Sequence, residues 1–171
     1  MEERSGIITM KGNPLTLLGT ALKVGDSAPD VELMDNSLQP VRLSSFQKNG
    51  LVIAAVPSLD TPVCDMETRK FNEAAADLDG VGIITVSMDL PFAQKRWCGA
   101  AGIERVITLS DYRDAAFGEQ YGVLIKELRL LARSVFVVDK SHTIQYLEIV
   151  KEVTEEPDYE AAFSAVKDLA S

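Results

Sequence analysis

Cysteine and histidine are scarce in this 171-residue chain, with two of the first and one of the second. Two cysteines do not make a disulfide scaffold at this length. They form no CxxC pair and His142 stands alone, so no zinc site has a spacing to recommend it and no metal is expected. Neither GxxxxGK[ST] nor GxGxxG occurs, and Gly80-Val81-Gly82 merely opens an apolar run. No uncharged apolar stretch approaches the roughly 18–20 residues of a membrane helix. Basic residues are outnumbered, 17 against 26 acidic ones, for a net charge of −9. Nothing draws such a chain to phosphate backbones or anionic lipid, so neither nucleic acid nor a membrane is an expected partner. Met1-Glu2-Glu3-Arg4 lacks the basic and apolar regions of a secretory signal, and a cytoplasmic location is expected.

What is present reads as one α/β domain over 1–171. The composition is 46% hydrophobic and 25% charged, which is that of a globular chain. Apolar runs at 7–10 and 15–18 flank Lys11-Gly12-Asn13-Pro14 and predict an N-terminal hairpin at about 7–18. Residues 31–34 and 41–43 bracket a turn at Asp35-Asn36-Ser37. Residues 51–56 (LVIAAV) are apolar throughout, as in a strand covered on both faces, and Pro57 ends them. A helix follows over 62–78, with Met66, Phe71, Ala74, Ala75 and Leu78 near one face, and Gly80 stops it. Residues 81–87 predict a second strand, 91–98 a helix that begins at Pro91 and ends at Gly99, and 106–109 a third strand. A helical turn at 111–118, a hairpin of 134–138 with 143–150, and a last amphipathic helix over 158–170 complete the reading. Asp158 is placed as the cap of that helix, with Phe163, Val166 and Leu169 inward.

The chemistry concentrates in Pro57-Ser58-Leu59-Asp60-Thr61-Pro62-Val63-Cys64. Threonine is a good N-cap, and proline fits the first helical position after it. Cys64 then falls in the first turn, where unpaired backbone N–H groups favour an anion and a thiolate is stabilised. The Thr61 hydroxyl lies close enough to bond sulfur or a substrate oxygen. Asp65 and Glu67 suit the helix end but oppose a thiolate, which an arginine from elsewhere would offset.

Pro57, Thr61 and Cys64 match the active-site motif of the peroxiredoxins, and Ser58 to Cys64 resembles the bacterial thiol peroxidase subfamily. The N-terminal hairpin, a second cysteine in Lys95-Arg96-Trp97-Cys98-Gly99, and an arginine opening the late strand Arg133 to Asp139 agree with it. Trp97 stands where phenylalanine is expected. The resemblance spans nearly the whole chain. It implies a thioredoxin-like fold with a central mixed sheet flanked by helices, a homodimer, and a thiol-dependent peroxidase that needs no bound cofactor.

It also implies roles. Cys64 attacks hydrogen peroxide or an organic hydroperoxide and becomes sulfenic acid. Arg133 holds the thiolate and polarises the peroxide, Thr61 aligns it, and Pro57 shields the sulfenic acid. Cys98 resolves it as a Cys64–Cys98 disulfide, which thioredoxin reduces. Cys98 lies about seven residues into its helix, or ~10 Å along it, whereas a disulfide needs Cα atoms within about 7 Å. Local unwinding around one or both cysteines is therefore expected. Thiol–disulfide exchange with proteins and a redox sensor that captures a partner are alternative readings, and His142 as base for Cys64 would suggest a cysteine hydrolase.

Overall fold

The structure, a computed structural model, describes residues 1–46, 49–75 and 80–169. Strands β1 (Glu3–Met10) and β2 (Asn13–Leu18) form an antiparallel hairpin with Met10 opposite Asn13. Lys11 and Gly12 between them both have positive φ, 50° and 82°, the tight-turn geometry whose twist matches the flanking strands. After β3 (Glu32–Met34) and β4 (Pro40–Arg42) come β5 (Gly50–Ala55), α1 (Pro62–Ala74), β6 (Val81–Ser87), α2 (Pro91–Ala101) and β7 (Ile107–Ser110). The chain continues through α3 (Ala116–Gln120), β8 (Leu124–Ile125), β9 (Leu130–Leu131), β10 (Ser134–Asp139), β11 (Ile144–Ile149) and α4 (Tyr159–Leu169).

A seven-stranded mixed sheet in the order β11-β10-β5-β6-β7-β3-β4 forms the centre. Strands β5, β6 and β7 run parallel, and β10 runs antiparallel to β5. Every residue of β5 is buried, because helices cover one face and other elements the other. Val52 and Ala54 face a core shared with Phe71 of α1 and Ala162 and Val166 of α4. Leu51, Ile53 and Ala55 point the opposite way, into a core shared with Ile8, Leu17, Phe117 and Phe136. That alternation is the period of two of a strand. A second sheet, β1-β2-β8-β9, closes over this core. Its short strands β8 and β9 are absent from the sequence reading, since two-residue strands carry no periodicity.

Two sequence expectations need correction. The second helix does not stop at Gly99. It runs to Ala101 and is capped by Gly102, whose φ of 68° lies in the left-handed region and whose N–H bonds the Cys98 carbonyl. Only one of the two glycines is in the conformation that ends a helix. Met66 is not on the inner face of α1. It is 47% exposed, and the buried positions are Cys64, Glu67, Thr68 and Phe71. Those four share one stripe at spacings of three, four and seven, from which residue 66 is rotated away. Leu78 and the end of the 62–78 expectation lie outside the described residues, as does Ala170. The last helix is capped by Asp158, whose carboxylate accepts the Ala161 N–H at 3.0 Å.

The register decides where chemistry can occur. Ala55 stands beside Val86, and Ser87 beside Ser110. Ser134, the first residue of the antiparallel β10, stands opposite Ala55. The segments after β5, β6 and β7 and the residue before β10 therefore meet at one end of the sheet, the carboxyl end of its parallel strands. Ligand sites of α/β sheets form at that end.

Candidate active site

Four segments converge there: the loop 57–61 with the first turn of α1, Asp89 after β6, the α2 helix, and Arg133 before β10. Thr61 is the N-cap of α1, with an extended backbone (φ −125°, ψ 149°). Its hydroxyl accepts the Cys64 N–H at 3.4 Å and donates to the Ser58 carbonyl at 3.1 Å. Pro62 sits at the first helical position. Cys64 is fully buried among Val56, Leu59 and the half-buried Trp97. Pro57 is buried at the strand end.

The loop is held from behind by Asp89. Its carboxylate accepts the Ser58 hydroxyl at 2.7 Å, the Leu59 N–H at 2.8 Å and the Ser87 hydroxyl at 2.8 Å. Gln94, buried in α2, donates to the Ser87 hydroxyl at 2.9 Å and to the Leu109 carbonyl at 2.8 Å. No motif in the sequence marks Asp89; only the placement of a turn carboxylate beside the loop reveals it.

Arg133 is 2% exposed, and its Nε donates to the Val153 carbonyl at 3.0 Å. Its Nη1 donates to Glu67 Oε2 at 3.0 Å, and Glu67 is itself fully buried one turn after Cys64. The arginine is thus brought to the same face of α1 as the cysteine. Glu67 Oε1 is buried with no hydrogen-bond partner among the described residues. Burial pushes the Glu67 carboxyl up to about 8, against the pull of Arg133. In the sequence Glu67 shows only as a helix-end charge, and nothing local marks its inward role as the arginine's partner.

Cys98 is not brought to Cys64. Both thiols are free. Cys98 is half-buried, and its Sγ lies 3.4 Å from the Thr108 hydroxyl, which donates to Asn36 Oδ1 at 3.1 Å. Thr108 has one hydroxyl proton, so the thiol is the donor in the first of these bonds. In register Thr108 pairs with Thr85, two residues below the Ser87–Ser110 pair that marks the site end. His142 lies farther still, in the turn after β10, at the Gly50 end of β5. That separation leaves no geometry for a cysteine–histidine pair.

A Redoxin family model matches residues 23–163. A thiol peroxidase of Halalkalibacterium halodurans is 58% identical over 160 residues, covering 94% of this chain and 96% of that protein. One from Bacillus subtilis is 54% identical, covering 95% and 97%. The crystal structure of a peroxiredoxin-like protein from Aquifex aeolicus superposes with a TM-score of 0.90 at 45% identity, covering 96% and 98% of the two chains. With this likeness running through the loop, the capped helix and the sheet alike, the chain belongs to the Redoxin family, among the bacterial thiol peroxidases.

Proposed function

We propose that the protein is a thiol-dependent peroxidase working as one domain over its whole length, with Cys64 as nucleophile. The observation that carries this reading is a buried cysteine in the first turn of a Thr61-capped helix, with a buried arginine tethered to the same helix face. The Cys64 thiolate attacks the terminal oxygen of a hydroperoxide. The S–O bond forms as the O–O bond breaks, sulfur is oxidised by two electrons, and the departing alkoxide or hydroxide takes up a proton. Arg133 stabilises the negative charge that spreads over the peroxide, and Thr61 orients it. Pro57 limits water around the sulfenic acid.

A groove of about 710 Å³ runs between the loop and α2, lined by Leu59, Asp60, Phe92, Arg96 and Trp97 among others. Leu59 and Trp97 pack on Cys64, so this groove is the route we assign to the peroxide. Its apolar rim, with Leu90 and Phe92 exposed, suits an organic hydroperoxide as well as hydrogen peroxide. The same rim offers a second copy a surface, in keeping with a homodimer. Cys98 then displaces hydroxide from the sulfenic sulfur to give a Cys64–Cys98 disulfide. Thioredoxin reduces it by exchange, in the reducing cytoplasm where such a disulfide is transient.

Two measurements test the second half of the cycle. Cys98→Ser is expected to consume one equivalent of peroxide per chain and then to lose recycling by thioredoxin. Steady turnover at the wild-type rate would remove Cys98 from the mechanism. Disulfide formation requires Cys98 to leave Thr108 and approach the start of α1. Hydrogen exchange over 61–68, over 92–100, or over both is therefore expected to be faster in the oxidised protein. Equal protection in the two redox states would rule out the unwinding.

A further inference from the structure

Helices α1 and α2 are tied together by side chains next to each cysteine. Asp65, the residue after Cys64, is the hub. Its Oδ1 accepts the Trp97 indole N–H at 2.9 Å, and its Oδ2 accepts Arg69 Nε at 2.9 Å. Trp97 is the residue before Cys98. Arg69 also donates to the Ala101 carbonyl at 3.3 Å, in the last turn of α2, and its guanidinium stands 5.9 Å from the centre of the Trp97 ring. The circuit Asp65–Trp97–α2–Ala101–Arg69–Asp65 is closed. Each cysteine is covalently adjacent to a member of the circuit, so the circuit holds the cysteine-bearing turns of α1 and α2 in their helical form.

We propose that this circuit is a latch that sets the rate of the second chemical step, with Trp97 and Asp65 as positioning residues for resolution. This rests on the assignment of Cys64 and Cys98 given above. In that step the Cys98 sulfur attacks the Cys64 sulfenic sulfur. The S–S bond forms, the S–O bond breaks, and the hydroxyl leaves as water with the Cys98 proton. The competing step is attack of the sulfenic acid on a second hydroperoxide, which yields sulfinic acid and an alcohol or water. While the latch is shut, only the competing step can proceed. Its strength therefore sets how much peroxide the protein survives per turnover. The indole N–H is the decisive element. A phenylalanine would keep an aromatic ring against Val56, Leu59 and Cys64 but could not bond Asp65.

The test is rapid-quench kinetics on the full chain with hydrogen peroxide, separating thiol, trapped sulfenic acid, sulfinic acid and disulfide by mass. Trp97→Phe is expected to speed disulfide formation about 3- to 10-fold, the effect of losing one ordinary, part-exposed hydrogen bond, with the rate of sulfenic acid formation read separately in the same quench. The peroxide concentration that over-oxidises half the protein should rise by the same factor. A merely structural role for the indole would lower thermal stability without moving that ratio. Asp65→Asn keeps an acceptor for the indole but no longer holds Arg69, so it should fall between the wild type and Trp97→Phe, whereas Asp65→Ala, which frees both partners, should resolve at least as fast as Trp97→Phe. Resolution in Trp97→Phe at or below the wild-type rate, or an Asp65→Ala variant that does not follow it, overturns the latch alone. Absence of any Cys64–Cys98 disulfide in the wild-type protein overturns the cysteine assignment and the latch with it.

Discussion

Cys64→Ser is expected to abolish peroxide-dependent oxidation of thioredoxin, with turnover falling by roughly 10³-fold or more, as when a nucleophile is removed. The serine hydroxyl fits the space of the fully buried thiol, so the variant should fold and lose only its chemistry. The field of a helix N-terminus falls far short of ionising an alcohol. Cys98 cannot take over. It lies in the second half of α2, bonded to Thr108 on the side of β7, away from the Thr61-capped turn. A Cys64→Ser protein that still turns over peroxide at full rate would place the nucleophile elsewhere.

The largest expected effect on stability lies in the Arg133–Glu67 pair. Both side chains are buried and 3.0 Å apart. Arg133→Met leaves Glu67 without its partner in an apolar setting, at an expected cost of about 3–5 kcal/mol, measured by chemical denaturation at about pH 8.5. The pH dependence follows from burial of the carboxyl. Its native pKa is raised from 4.5 to about 8, so between those values the native protein keeps a proton that the unfolded chain has released. The contribution is complete below about 4.5 and is lost as pH rises through about 8. Asp111, raised by burial to about 6, acts with the same sign, but its effect is largely exhausted above about pH 6.5. Stability of the wild-type protein should therefore fall between about pH 6.5 and 8.5. In Glu67→Gln, which keeps the volume and does not titrate, that fall should flatten. An unchanged slope in the glutamine variant would show that Glu67 does not carry it.

The sheet centre, the capped helix and the cysteine position were legible because each depends on neighbours in sequence. An unbroken apolar run before Pro57, a threonine before Pro62 and a cysteine two residues beyond fix the local geometry with no help from distant parts. Glu67 was not legible as a buried group, because its partner is 66 positions away. By composition Met66 is the better core residue, yet it faces outward because the helix is turned to present Cys64 and Glu67 together. Gly99 and Gly102 differ in dihedral angle, not in identity, so the helix end could not be chosen from the residue type. Asp89 reads as an ordinary turn carboxylate until the strand register sets it behind the loop. Arg133 lies far along the chain from the Pro57–Cys64 motif, and only the resemblance points to it.

The two bonds by which Asp89 holds the loop have a consequence for the return half of the proposed cycle. They end at Ser58 and Leu59, before the segment expected to open, so they can persist while the first turn of α1 is undone. Once exchange has freed both sulfurs, the turn regrows from a seat already in place and escapes the costly nucleation of an isolated helix. Regrowth of that kind takes about nanoseconds per residue. The interval before the next peroxide can be met is then governed by the arrival of the reductant, and the protein itself adds almost no dead time.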